Sequence, residues 1–170
     1  MPPIRRLEYL SPTDIDMLSA VLIDCVDGGA SVSFMHPLAL PRARAFWQRV
    51  AEDLERGARA LLVAEDTQGI AGTVHLQLEQ PENQPHRADL AKMLVHRRAR
   101  GRGMGAALLG AAEQLGRDCG KTLLVLDTAS AEAERLYERG GWQRCGTVPG
   151  YALLPRGGLC ATTFFFRELR

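Results

Sequence analysis

The chain has 170 residues, 46% of them hydrophobic and 24% charged, with a formal net charge of +1. That size suits one domain, residues 1–170, with one sizeable core. The near-neutral balance gives no reason to expect nucleic acid as a partner. No apolar run reaches bilayer-spanning length, and the N-terminus lacks a signal core, so a cytoplasmic protein without a membrane partner is expected.

Ile4 to Leu10 reads as a first strand, edge-like because of Arg5 and Arg6. Ser11-Pro12-Thr13-Asp14 is a helix start, with Ser11 as cap and Pro12 in the first turn. Ile15, Leu18, Val21, Leu22 and Cys25 then recur on one face until Asp27-Gly28-Gly29. The segment that follows, with Ser31, Phe34, Met35 and His36, suits either a connector or a substrate wall. Pro41 opens a second helix through Arg56, with Ala45, Phe46, Val50 and Leu54 turned inward. Leu61–Ala64 is a strand, and Ile70–Glu79 alternates apolar and polar residues as its hairpin partner, with His75 on the polar face. Arg87–Val95 is a further strand.

Gly103–Cys119 is a helix with Leu108, Leu109, Ala112 and Leu115 inward. Thr122–Leu126, continuously apolar, reads as a strand buried on both faces. Ala131–Arg139 is a short helix. Trp142–Val148 and Ala161–Glu168 close the chain as strands, separated by a long Pro- and Gly-bearing loop, and Thr162, Phe164 and Phe166 share one side. One α/β domain of mixed strand direction follows. The four cysteines form no Cys-x-x-Cys pair, and the four histidines show no metal-ligand spacing, so no metal is expected.

The most informative stretch is Lys92–Leu109. A strand end runs into Arg97, Arg98, Arg100 and Arg102, interleaved with Gly101, Gly103 and Gly105, and then into a helix. Glycines expose backbone, a helix start offers unpaired N–H groups, and arginines add forked donors, a pattern suited to a phosphate-bearing ligand. A Walker loop is excluded because no Gly-Lys-Ser/Thr follows. A loose dinucleotide fingerprint through Gly101, Gly103 and Ala106, with Asp127 downstream, keeps a small Rossmann-like oxidoreductase as an alternative. Against it stand the crowding arginines, the mid-chain position and the short remainder of the chain.

Read as Arg100-x-x-Gly103-x-Gly105, the same turn resembles the pyrophosphate motif of the GCN5-related N-acetyltransferases (GNAT), which use acetyl-CoA. Ser130-x-x-Ala133-x-x-x-Tyr137-x-x-x-Gly141-Trp142 is similar to that family's second signature, departing from it at Ser130 and Trp142. Within the family the chain is most similar to the tabtoxin-resistance acetyltransferases, through Gly28–Val32 with Phe34-Met35, Arg87–Asp89, Lys92, Ala99–Gly103, Leu126–Thr128 and Pro149–Tyr151. The resemblance implies a mixed, mainly antiparallel sheet flanked by helices, with one parallel strand pair splayed apart. It implies acetyl transfer to the amine of a small molecule, amino-acid-like or a β-lactam toxin, without a covalent enzyme intermediate. Met93, Leu94 and Val95 would line the thioester and pantetheine, and Arg100, Gly101, Arg102, Gly103, Met104, Gly105 and Ala106 would hold the pyrophosphate. Ser130 and Ala133 would complete the coenzyme site. Ser31, Phe34, Met35, Asp89 and Asp127 would face the acceptor, with Asp89 or Asp127 as general base and Tyr137 as the acid for the leaving thiolate. A non-catalytic acyl-CoA-binding regulator is the other alternative, and a homodimer is compatible with the fold.

Overall fold

The computed structural model describes residues 2–169. Seven strands form one sheet: β1 (Ile4–Leu7), β2 (Arg59–Asp66), β3 (Gly69–Gln77), β4 (Arg87–Val95), β5 (Leu123–Thr128), β6 (Gln143–Leu153) and β7 (Leu159–Glu168). Their order is β1-β2-β3-β4-β5-β7-β6, and only β4 and β5 run parallel. Helices α1 (Pro12–Asp27) and α2 (Leu40–Glu55) cover one face, while α3 (Met104–Asp118) and α4 (Ala131–Arg139) cover the other. The mixed, mainly antiparallel sheet expected from the sequence is the one observed.

Local chemistry accounts for several boundaries. Ser11 accepts from the Asp14 N–H at 3.1 Å while Asp14 accepts from the Ser11 N–H at 3.0 Å, a reciprocal cap that fixes the start of α1. Leu18, Val21, Leu22 and Cys25 pack beneath it as the spacing predicts. On α3 the predicted inward set Leu108, Leu109, Ala112 and Leu115 is buried against β2–β4.

Other expectations need correction. On α2 Val50 and Leu54 are buried as expected, but Ala43 and Trp47 take the places expected of Ala45 and Phe46, because Trp47 fills the space against the sheet. β3 is buried on both faces rather than alternating, since helices cover it above and below, and His75 is 1% exposed instead of lying on a polar face. β5 is fully covered only at Leu124 and Leu126, so the both-faces reading fails there. The predicted loop after Val148 shrinks, because β6 continues to Leu153 through a register shift between Val148 and Ala152. That irregularity accommodates Pro149 on an edge strand.

Two features of the central strands shape the site. The β4–β5 ladder pairs Arg87–Asp89 with Leu123–Val125 and stops there, so residues 90–95 and 126–128 diverge. On the other side of β4 the register with β3 shifts between Thr73 and His75, a bulge at Lys92, which has φ +51°. Ala88 and Leu90 pack toward α3, but beyond the bulge Met93 and Val95 do so and Leu94 crosses to the α1 side. The extra residue turns the Lys92 side chain into the space beneath α2.

Candidate active site

At the end of β4 the chain makes a short turn of 3-10 helix, Arg97–Ala99, then the glycine loop, then α3. Gly101 and Gly103 have φ of +73° and +77°, a conformation that disfavours any Cβ, and nothing lies within 4 Å of where one would stand. The first helical bond of α3 is Ala107 N–H to Gly103 O at 3.0 Å. Gly103 caps without a side chain, so the N–H groups of residues 101–106 have no acceptor among the described residues. Six consecutive donors at the positive end of a helix form a cradle whose chemistry suits a phosphate-bearing anion. Gly105 sits where α3 meets α4, and a Cβ there would stand 3.3 Å from Leu136.

The four arginines do not act alike, and Arg97 and Arg98, which are not assigned to the pyrophosphate, turn to carboxylates of the protein. Arg97 binds the Asp24 carboxylate and carbonyl, and Arg98 binds Asp66 at 2.8 Å and the Ile70 carbonyl at 2.9 Å. Both brace the loop against α1 and the β2–β3 turn. Arg100 folds back so that its Nε donates to Val95 O at 2.9 Å. Arg102 is exposed and has no ion pair among the described residues, so it is free to meet an anion. His96 donates its N–H to Ala71 O at 2.8 Å, so alternation puts Leu94 in the ladder with Thr73 and turns the main-chain groups of Val95 toward the gap. Met93 and Val95 are partly buried against the α3 layer, with Met104 buried beside them. Ser130 caps α4, its Oγ accepting from Ala133 N–H at 3.2 Å.

The three proposed catalytic side chains fall in three different places: Asp127 beside the gap on the α1–α2 face, Tyr137 under α4 on the opposite face, and Asp89 farther back along β4. Asp127 is exposed near the end of β5, and Thr162 donates to its Oδ2 at 2.7 Å. Tyr137 is buried against Trp142 and Phe165, with ring centroids 5.8 and 5.7 Å away. Burial, and then the charge of Asp127, holds its phenol well above the usual range, so it stays protonated. Asp89 stands apart. It lies where β4 and β5 are still paired, and it is bound to Arg87 and to Gln80, the latter at 3.2 Å.

On the α1–α2 side two cavities adjoin. One, about 270 Å³, contains the predicted Ser31, Phe34, Met35 and Asp127, and also Tyr151, Cys160 and Thr162 from the β6–β7 hairpin. The other, about 520 Å³, is lined by Arg42, Arg49, Arg59, His75 and Lys92 among others. Sequence reasoning missed this second group, which comes from four separate elements, α2, β2, β3 and β4. Asp89 lines neither cavity.

A splayed parallel pair with a donor-rich cradle at its end and a hollow beside it is the architecture of an enzyme that holds an acyl-CoA in the gap. The comparisons agree: the model of the Acetyltransferase (GNAT) family matches residues 32–142, and the chain belongs to that family. It is therefore an N-acetyltransferase with acetyl-CoA as cosubstrate. Its fold is similar to ribosomal-protein-alanine N-acetyltransferase from Brucella melitensis (TM-score 0.82, 24% identity, covering 98% of this chain and 99% of that one). It is similar too to an N-acetyltransferase from Staphylococcus aureus Mu50 (TM-score 0.80, 18% identity, 99% of each chain). A phosphinothricin acetyltransferase from Sinorhizobium meliloti, in complex with acetyl-CoA, has a TM-score of 0.82 at 17% identity, over 99% of this chain and 88% of that one.

Proposed function

We propose that the chain, acting as a single domain, transfers acetyl from acetyl-CoA directly to the amine of a small amino-acid-like molecule, with toxin or antibiotic inactivation in the cytoplasm as the biological setting. The similarity in fold to a phosphinothricin acetyltransferase supports a small-molecule acceptor. The observation that carries the reading is the placement of Asp127 in the acceptor cavity beside the β4–β5 gap, with the N–H cradle of residues 101–106 at the gap's end and Tyr137 across the sheet on the α4 face, close enough to feel the Asp127 charge.

Each residue then has a task. The cradle and Arg102 hold the diphosphate, while Val95 turns an N–H toward the thioester end. Ser130 acts as a cap at the start of α4 and serves the coenzyme through that helix. Asp127, steadied by Thr162, orients the acceptor ammonium and takes its proton, directly or through a water. The freed nitrogen forms a bond to the carbonyl carbon as the carbon–sulfur bond breaks. Tyr137 returns a proton to the departing thiolate. Asp89, engaged by Arg87, shapes the strand instead of serving as base.

The test is Asp127→Asn assayed by thiol release against a panel of amines and amino-acid antibiotics, with acetyl-CoA affinity measured by calorimetry. Turnover should fall at least 100-fold with coenzyme affinity within twofold of the parent. Equal loss on Asp89→Asn, with Asp127→Asn active, would reverse the assignment. Tight binding of a nicotinamide dinucleotide in place of acetyl-CoA would end it.

A further inference from the structure

The larger cavity has a composition that the transfer reaction does not require. Four of its side chains are cationic, Arg42, Arg49, Arg59 and Lys92, and none is a carboxylate. Arg42 and Arg49 lie seven residues apart on α2 and so project from one helix face. Neither makes an ion pair among the described residues, and nor does Lys92, whose Nζ is 3.4 Å from Ser33 Oγ and 5.6 Å from the Phe46 ring centroid. Arg59 is held in a fixed pose. Its Nε donates to Asp53 at 2.6 Å and its Nη1 to His75 Nε2 at 3.0 Å, while its Nη2 has no partner among the described residues. A guanidinium is only a donor, so Nε2 accepts and His75 is the neutral Nδ1–H tautomer, a buried prop for the arginine.

Gathering these charges around a half-enclosed space is unfavourable while it holds only water. Lys92 registers this: burial and then Arg59 push its ammonium pKa down, and Asp127 alone opposes them. The adjoining cavity has the opposite polarity, with Asp127 as its one carboxylate and Ser33 and Phe34 shared between the two hollows.

We propose that the acceptor is an anionic amine whose carboxylate or phosphonate-type group seats among Arg42, Arg49, Arg59 and Lys92 while its amine turns toward Asp127. This rests on the transfer reading for the amine's role, but the anion seat can be tested without turnover. The fixed Arg59 supplies directional donors, Lys92 a short-range charge at the bulge, and Arg42 and Arg49 closure from α2. An amine lacking the acidic group leaves the four cations uncompensated, so it is selected against.

The experiment titrates 3-phosphonopropionate, which has no amine, into the protein saturated with CoA. Calorimetry should show binding that weakens with added salt and falls at least 10-fold in the double variant Arg42→Gln, Arg49→Gln. Both side chains are exposed on a helix, and circular dichroism confirms that the variant is folded. A parallel thiol-release assay compares 2-amino-4-phosphonobutyrate and glutamate with n-butylamine and 1,4-diaminobutane. The anionic pair should have kcat/KM about 100-fold higher, and the double variant should raise their KM with kcat and the KM for acetyl-CoA held. Absence of phosphonopropionate binding, binding indifferent to the double variant, or binding abolished by CoA would overturn the anion seat. Acetylation of uncharged or dicationic amines together with that failure would leave the transfer reading standing. Binding without acetylation of any amine would instead sink transfer and keep the seat.

Discussion

Gly103→Ala isolates the conformational demand of the phosphate cradle. At φ +77° with open space around the missing Cβ, the added methyl meets no neighbour, so the penalty is backbone strain alone. An L-residue in this region is disfavoured by roughly 1–2 kcal/mol. If the loop keeps its shape, that strain appears as lost stability, a fall in Tm of about 2–4 °C for each kcal/mol in a chain of this size. If the loop relaxes, residues 101–106 no longer aim their N–H groups together, and acetyl-CoA affinity falls by about 5- to 30-fold. The sum of the two losses, from thermal melts and calorimetry on one preparation, should equal the strain. Gly110→Ala is the control on the same helix: exposed, right-handed and clear of neighbours, it should gain roughly 0.5–1 kcal/mol and leave coenzyme binding untouched. Finding Gly103→Ala as stable and as tight as the parent would refute the cradle geometry.

Three further outcomes follow from the same geometry. Tyr137→Phe should lower kcat by about 100-fold or more without changing the KM for acetyl-CoA, and since burial keeps the phenol protonated, the parent's pH profile should show no tyrosine limb; an unchanged kcat removes it from the chemistry. His75 has its folded-state pKa far below the ordinary 6.5, so the unfolded chain takes up the proton first as pH drops. Stability should hold above pH 6.5 and decline below it by up to about 1.4 kcal/mol per pH unit, and urea midpoints at pH 7 and 5.5 should show that decline largely removed in His75→Leu. His96, also shifted down, accounts for a residual slope, while Asp53, Asp66 and Glu134 are held low and titrate further down. Arg98→Ala should lower stability by about 1–3 kcal/mol and loosen acetyl-CoA binding, because Asp66 and the Ile70 carbonyl lose their charged donor; wild-type melting would argue that the brace is dispensable.

The segments legible in the sequence were those whose signal is local. Ser11-Pro12-Thr13-Asp14 caps α1 by itself, and the glycine turn shows its open backbone through residue type and spacing within a dozen positions. Of the five residues the family resemblance assigns to the acceptor, Ser31, Phe34, Met35 and Asp127 line one cavity and Asp89 does not. What escaped depends on tertiary context. Phe46 and Trp47 are adjacent aromatics, and only the shape of the sheet beneath decides which is buried. His75 reads as a polar exception in a half-buried strand until a second helical layer covers it. The Lys92 bulge has no glycine to mark it, and the cationic group on α2, β2 and β4 has no contiguous sequence to betray it. Asp89 looked well placed by spacing, but its Arg87 neighbour, two residues back on the same face, had already claimed it.

The hollow next to Asp127 is walled by the strands of the β6–β7 hairpin, whose end is fastened to α1 and the α1–α2 connector by Ser31 Oγ to Leu153 O at 3.4 Å, His36 N–H to Pro155 O at 2.9 Å and Arg156 Nη1 to Asp27 O at 2.9 Å. The first and last of these ties join positions 122 and 129 apart in the chain, whereas the N–H groups of the cradle come from one unbroken run, residues 101–106, between β4 and α3. Inheritance of the two halves is thereby uncoupled. On the proposed assignment of acceptor and coenzyme sites, changes at residues 150–160 would re-tailor what is acetylated while the carrier's grip descends unaltered, so homologues should diverge in diet before they diverge in fuel.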